Sequence, residues 1–519
     1  SLHDALPIWD WLLVMTPENF RARFNVDVRV NHEALAINRE KKTVRVLNRV
    51  SGTEREESYD RLVIATGALP VQLPLPGIDL PEVLHLWTLQ DMDRIAKKLD
   101  AGAKSAIVVG GGFVGMELAE SLRHRGLQVT LLEMGRQLLP TMDVEMSSLL
   151  AEELRMAGIV VELGAAVTAF AAKVGGGVQA TVKDGRSWAA DVVVLCVGVR
   201  PNSALAKDAG LEIGPQGHIV TDAHLATSDP DIFAVGDVIS VVDPVFGGPT
   251  AVPLAGPANR QGRIAADNIL GGQRRYEGTL GASVVKVGNL TAASCGHTEM
   301  RLKAMGKPFQ KTYLHAGSHA GYYPGAKPLH IKLLFGDDGK IYGGQVVGGA
   351  GADKRADVLA VAMRAGMDVR QLAELELCYA PPFSSAKDPM TVAGMIATNA
   401  LDGKTTQVHA DALPADALLL DVREPAEVLQ GTLEGSVNIP LHQLRSRTFE
   451  LPKDRLIVVY CQVGLRGYVG ERILAQLGYN VANLAGGYLT WKQFQPEKWI
   501  PSDIEIALAG TASDGGPRV

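Results

Sequence analysis

The chain has 519 residues, 46% of them apolar and 21% charged, with 51 Lys plus Arg against 57 Asp plus Glu for a net charge of −6. At about 100–200 residues per domain this length implies roughly three or four domains, and the composition excludes a disordered chain. The charge balance leaves no basic footprint for nucleic acid, and no apolar run approaches the ~18 residues of a membrane-spanning helix. Four cysteines exclude a disulfide scaffold and fit a reducing, cytoplasmic setting.

In chain order, the opening SLHDALPI has no initiator Met and none of the basic and apolar segments of a secretory signal, so residues 1–9 read as a foreign or artefactual leader. From Val26 to Val50, VDVRV and KKTVRVLNRV alternate as strands of a meander. Tyr59–Pro70 is a buried strand ending in a Thr-Gly turn, and the Pro/Gly-rich Pro70–Pro81 reads as a crossover. From Ser105 the pattern becomes βαβ: strand SAIVV, a glycine turn, an amphipathic helix Phe113–Arg125 and strand LQVTLLE. Asp191–Asn202 and Ile232–Val238 are further apolar strands. Residues 281–402 mix strands with one clear helix, Ala352–Ala365. Asp402–Asp416 reads as a polar linker to a compact α/β unit that starts at LLLDVREP and ends near Trp491, and residues 501–519 as a flexible tail.

Gly110-Gly111-Gly112-Phe113-Val114-Gly115 contains G-x-G-x-x-G between a strand and a helix, with Glu133 closing the next strand at the spacing of a ribose-binding carboxylate. Gly110 permits the tight turn, Gly112 lets backbone approach a pyrophosphate, and Gly115 lets helix and strand pack closely. The helix N-terminus offers N–H groups to the phosphates. Glu133 repels a 2′-phosphate, which favours NADH, while the nearby Arg136 keeps NADPH possible. By itself a strand ending in Gly-Asp, as at Gly236-Asp237, reads as a turn, although Asp237 could accept bonds from sugar-like hydroxyls.

ATG at Ala65–Gly67, the glycine fingerprint, VLCVGVRPN around Gly198 and FAVGDV occur in the order seen in two-dinucleotide flavoprotein reductases. The chain resembles the pyridine nucleotide–disulfide oxidoreductase family over about Asp10–Asp402. Ala320–Ala326 (AGYYPGA), Gly351–Val358 (GADKRADV) and Tyr379–Pro389 (YAPPFSSAKDP) look most like its coenzyme A disulfide reductase branch, which includes NADH oxidases. The resemblance implies a two-dinucleotide α/β fold, with an FAD-binding domain over 10–100 and 215–275, an NAD-binding domain over 101–214 and an α+β dimerisation domain over 281–402 that makes a homodimer. It further implies that Asp237 contacts the ribityl chain of FAD with Thr66, Gly67 and Gly236 nearby, that Gly198 belongs to the cofactor site, and that Phe113 lies over the flavin as a gate. Tyr322 and Tyr379 then sit near the flavin or the reactive sulfur, and Lys387 and Asn259 match positions that contact coenzyme A. The family's first strand–GxGxxG–helix and its single redox cysteine have no counterpart, because no glycine precedes Gly52 and no cysteine precedes Cys196. The expectation is therefore a fragment lacking the first βαβ of its FAD domain, which binds little flavin.

Cys461-Gln462-Val463-Gly464-Leu465-Arg466 follows strand LIVVY and precedes a helix expected over Gly467–Leu477. A thiol there meets converging N–H groups and the positive end of a helix dipole, both of which favour thiolate, and Arg466 can add charge stabilisation. Together with Asp421–Pro440 and Asn483–Lys492, this loop resembles a single rhodanese-like α/β domain over 405–495, with Asp421 and Arg423 orienting the loop. Of the other cysteines, Cys196 reads as core, Cys295 as a strand-end residue beside His297, and Cys378 as a weak candidate near Tyr379. No cluster has metal-ligand spacing, so no metal is expected. The reading that results is an NADH-dependent flavoenzyme reducing a coenzyme A disulfide, persulfide or polysulfide, coupled to a sulfur carrier at Cys461. An NADH oxidase or peroxidase, and a sulfurtransferase on an inert scaffold, are the alternatives.

Overall fold

The computed structural model describes residues 15–495, so the leader assigned to residues 1–9 and the tail assigned to 501–519 lie outside the described residues. Internal packing divides the described residues into two units, one of residues 15–132 with Ala166–Gly281 and one of Glu133–Ala165 with residues 282–495.

In the first unit, strands Val83–His85, Val192–Leu195, Ser105–Val109 and Gln128–Glu133 lie parallel in that order. Ile107, Val108, Val193 and Val194 are buried, as continuous apolar runs in a sheet covered on both faces must be. Three antiparallel strands, His32–Asn38, Thr43–Asn48 and Glu54–Ser58, form a separate meander. Residues Val26–Val30 take no part in it and form no strand. Leu62–Ile64 pairs in parallel with Ile232–Ala234, which brings together the ends of two segments far apart in sequence.

The expected strand Asp191–Asn202 is broken. Val192–Leu195 lies in the parallel sheet, whereas Val199–Pro201 pairs antiparallel with Ala68–Pro70. Between them Gly198 adopts φ +94, a conformation glycine takes without steric cost.

The second unit is built on five antiparallel strands in the order Ser283–Val287, Leu290–Gly296, Ile341–Gly348, Pro328–Phe335 and Gln310–Gly317. Helices Ala352–Arg364 and Pro389–Leu401 cover this sheet, and Ile331, Leu333, Leu359, Met390 and Ala393 lie in the core between them. A smaller parallel sheet follows, in the order Gln407–Val408, Val481–Leu484, Ile457–Tyr460, Leu418–Asp421 and Val437–Asn438. Its edge strand Gln407–Val408 falls inside the segment expected to be a linker, because two residues suffice to extend the sheet beside Asn483 and Leu484. Among the described residues no helix is long and apolar enough to cross a membrane.

Candidate functional site

The strand Ser105–Val109 runs into Gly110, whose N–H donates to the Leu132 carbonyl at 2.8 Å. Gly110 has φ +106, and a Cβ there would meet the Cys196 carbonyl oxygen at 2.4 Å. A Cβ at Gly115 would lie 1.9 Å from the Gly110 oxygen, so the crossing of helix and turn requires glycine. Gly112, by contrast, faces open space and caps helix Phe113–His124 without a side-chain bond. This leaves a bare helix N-terminus of the kind that receives a phosphate. Phe113 is half-buried in its first turn. Glu133 ends the neighbouring strand, and its Oε1 accepts the Gly135 N–H at 2.6 Å.

The ATG turn is stitched to the segment after Gly198. Thr66 Oγ1 donates to the Asn202 carbonyl at 2.6 Å, the Asn202 N–H donates to the Gly67 carbonyl at 2.9 Å, and the Val71 N–H to the Gly198 carbonyl at 3.0 Å. Gly67 has φ +66, and none of the described residues comes within 4 Å of where a Cβ would lie. In the same unit, Gly236 begins a short helical turn at φ +81 and donates to Oε1 of the buried Gln261 at 2.7 Å. Burial raises the Asp237 pKa, and its carboxylate has no partner among the described residues. A half-buried carboxylate of this kind can accept hydrogen bonds from hydroxyl groups. Asn259 is exposed on helix Ala255–Ile269 and donates to the Ala255 carbonyl at 2.9 Å.

In the second unit the hydroxyls of Tyr322 and Tyr379 lie 3.2 Å apart, and this bond raises the Tyr322 pKa. Lys387 is exposed on the same loop as Tyr379.

Cys461 follows strand Ile457–Tyr460 and is buried. Its sulfur accepts the Gly464 N–H at 3.2 Å. Gly464 has φ +100 and is itself the N-cap of helix Leu465–Gln476, which starts two residues before the expected Gly467. The second wall of the loop is Gly486-Gly487: a Cβ at Gly487 would meet the Cys461 carbonyl oxygen at 2.4 Å, and the Tyr488 N–H donates to that oxygen at 2.8 Å. Arg423 is buried, paired with Asp421 at 2.7 Å, 4.4 Å from the centre of the Tyr488 ring, and donates to Oε1 of Gln462 at 3.1 Å. Burial works against its charge, but Asp421 holds its pKa above the ordinary value. Arg466, expected to stabilise the sulfur, lies in the first helical turn and forks onto Glu427 at 2.6 and 2.7 Å. Against burial, that pair holds Glu427 below the usual carboxylate range.

The remaining cysteines differ from one another. Cys196 follows the strand end and is half-buried rather than core, and burial pushes its thiol up to about 12. Cys295 is buried one residue before its strand ends, with its thiol also pushed up to about 12, by burial and then Asp357. Cys378 is exposed. Asp143, Glu145 and Glu299 gather with metal-ligating geometry, and the buried ammonium of Lys332 contacts all of them, 2.9 Å from Asp143. Burial disfavours the Glu299 carboxylate, but Lys332 and Lys311 bring its pKa down to about 2. Sequence reasoning missed Gln261, Lys332 and Arg355. A lone Gln, Lys or Arg in a strand or helix carries no spacing signal, and only tertiary contact shows what it holds.

A fold that joins a strand–glycine–helix nucleotide loop to a covered antiparallel sheet defines a class, and the chain belongs to the pyridine nucleotide-disulphide oxidoreductase family. That family's model matches residues 9–262, its dimerisation-domain model residues 282–390, and a rhodanese-like domain model residues 405–494. The chain is therefore an oxidoreductase with FAD/NAD-binding, dimerisation and rhodanese-like domains, and membership implies FAD and NAD(P)H. More particularly, it is similar to the reduced CoADR-RHD of Bacillus anthracis, at 42% identity and TM-score 0.93 over 96% of this chain and 90% of that one. It is similar to a NAD-dependent persulfide reductase from A. fulgidus at 37% identity and TM-score 0.86, over 92% and 88%. An NADH oxidase of Methanocaldococcus jannaschii is 34% identical over 78% of this chain and 90% of its own length.

Proposed function

We propose that the chain is a cytoplasmic, homodimeric NADH-dependent reductase of coenzyme A persulfide or disulfide, with Cys461 carrying sulfane sulfur. The observation that carries this reading is the Cys461 loop: a buried thiol with the Gly464 N–H on its sulfur at 3.2 Å, in one chain with a strand–glycine–helix nucleotide loop. A sulfur-carrying thiol has a role when the substrate holds sulfane sulfur and none in reducing oxygen. The two similar structures extend over 96% and 92% of the chain, whereas the NADH oxidase extends over 78%.

In this reading Gly110, Gly112 and Gly115 admit the pyrophosphate of the nicotinamide nucleotide, Phe113 gates the ring, and Glu133 selects NADH over NADPH. Asp237, Gly236, Thr66, Gly67 and Gly198 are the part of a flavin seat that this sequence carries, and a flavin held there would supply two-electron transfer from the nicotinamide to sulfur. The Tyr322–Tyr379 pair keeps a proton at a hydroxyl for the departing thiolate, and Lys387 and Asn259 offer polar contacts to coenzyme A. Cys461 accepts or delivers sulfur as a thiolate or persulfide stabilised by the Gly464 N–H.

The net reaction for a persulfide is NADH + H⁺ + CoA–S–SH giving NAD⁺, CoA–SH and H₂S. Once its FAD content has been confirmed by absorbance, the protein incubated anaerobically with NADH and coenzyme A persulfide should yield equal amounts of NAD⁺ and sulfide. NADH consumption that requires oxygen and ignores the persulfide would overturn the reading in favour of an oxidase.

A further inference from the structure

Tyr322 and Tyr379 are 66% and 48% exposed and lie on two irregular segments, yet their hydroxyls meet at 3.2 Å. One hydrogen bond between exposed side chains on loops does not by itself overcome the entropy of ordering them. What orders these loops lies beneath them.

Arg355, in the first turn of helix Ala352–Arg364, is 1% exposed. Its Nη2 donates to the Ser318 carbonyl at 3.0 Å, to Ser384 Oγ at 3.1 Å and to Asp388 Oδ2 at 2.9 Å. Ser384, fully buried, donates to the same Asp388 oxygen at 2.7 Å, while Asp388 Oδ1 caps helix Pro389–Leu401 through the Met390 N–H at 2.9 Å. Both segments therefore end on one guanidinium. Ser318 opens the stretch leading to Tyr322, and Ser384 closes the turn after Tyr379, with its N–H on the Ala380 carbonyl at 3.2 Å. A direct bond, the Ala320 N–H to the Ser384 carbonyl at 3.1 Å, joins the two. A buried ion pair is weak evidence for stability, because desolvation offsets its attraction. Hydrogen bonds from this one to two separate loops give it a geometric task.

We propose that Arg355, with Ser384 and Asp388, is a positioning cluster that sets the Tyr322–Tyr379 hydroxyl pair by tying both loops to one buried guanidinium. Its relevance to turnover rests on the reading that this pair serves the reacting sulfur. Lysine at 355 keeps the charge but ends in a single ammonium on a shorter stem, which cannot serve the Nη2 acceptors together with the Gly351 carbonyl that Nη1 reaches at 3.3 Å. Alanine at 384 removes one tie and leaves the Arg355–Asp388 pair intact.

The experiment uses the full chain, with Arg355→Lys and Ser384→Ala first checked by thermal melting. Tyrosinate absorbance is then titrated, with Tyr322→Phe subtracted to isolate Tyr322. Wild-type Tyr322 should ionise above the ordinary tyrosine range, about pH 10. Both variants should move it back towards that range, with kcat on coenzyme A persulfide reduced about tenfold and KM for NADH unchanged. A folded variant whose Tyr322 titration matches wild type overturns the cluster's role, and Ser384→Ala decides the matter if Arg355→Lys does not fold. A titration that moves while kcat stays at the wild-type value overturns instead the assignment of the tyrosine pair to the reacting sulfur.

Discussion

The Gly110 loop and the Cys461 loop are two versions of one construction. In each, a buried strand runs into a turn, and a helix begins with glycine as its N-cap. They differ in where the strained backbone sits and in what fills the space before the helix. At the first loop the left-handed glycine, φ +106, comes directly after the strand, and the N-cap Gly112 faces open space. At the second the left-handed residue is the N-cap itself, φ +100, and the space holds the chain's own sulfur, walled by Gly486 and Gly487. The same array of N–H groups can therefore receive an anion brought from outside or stabilise one made in place. The residue at the strand end decides which.

The largest expected effect separates the two loops. Cys461→Ser should lower sulfur transfer from thiosulfate to cyanide by more than about 10³-fold, because a serine hydroxyl is not ionised at neutral pH. NADH affinity, measured by calorimetry, should stay as in wild type. Transfer that survives would remove the second loop from the chemistry altogether.

Substitution in the first loop should do the reverse, and its glycines divide by what surrounds them. In Gly115→Ala the new methyl falls 1.9 Å from the Gly110 oxygen and must push helix from turn, for about 1–3 kcal/mol of lost stability and at least roughly tenfold weaker NADH binding. Gly112→Ala meets nothing among the described residues, so its melting temperature should match wild type while NADH affinity still falls. Equal affinity for Gly112→Ala and wild type would mean that the open space does not receive the nucleotide. Sulfur transfer should be intact in both.

Those two loops were legible in the sequence because their chemistry depends on local spacing. A strand, glycines at fixed intervals and a helix, or a cysteine between a strand and a helix, are all visible within about ten residues. The partners that hold them were less visible. Arg466 is visible in the sequence as a cation five residues after the sulfur, but its pairing with Glu427, 39 residues earlier, is not, because only the fold brings them together. The strand through Gly198 looked continuous because both halves are apolar; the break follows from pairing with Ala68–Pro70, more than a hundred residues away. Lys332 and Arg355 sit in unremarkable strand and helix positions, and nothing about their neighbours in sequence announces that each is buried among acceptors from distant segments.

The smallest effect concerns the bracing of the second loop. Helix Gly487–Gln493 begins at the Cys461 wall, and further along Thr490 Oγ1 lies 2.7 Å from His315 Nε2 while Gln493 Nε2 lies 3.3 Å from His330 Nδ1. The two histidines themselves meet Nδ1 to Nδ1 at 2.8 Å, so protonating both would set like charges together in a buried site. Burial lowers the His330 pKa to about 4, and burial and then His330 hold His315 well below the usual value. Because these folded-state pKa values are depressed below about 6.5, the ordinary histidine value, the unfolded chain binds protons that the folded chain refuses. The stability they contribute is present above about pH 6.5 and is lost as the pH falls towards 4. Half-buried His409, lowered to about 4 chiefly by burial, adds to the same loss, whereas Glu299, lowered from 4.5 to about 2, acts only below about pH 4.5. Between pH 7.5 and 5.5 the second unit should therefore weaken, and His330→Gln should flatten that dependence by about 1 kcal/mol. Sulfur-transfer activity followed through the same range would report the loosening at the Cys461 wall. A pH dependence of melting identical in wild type and His330→Gln would show that the histidine pair does not brace the loop.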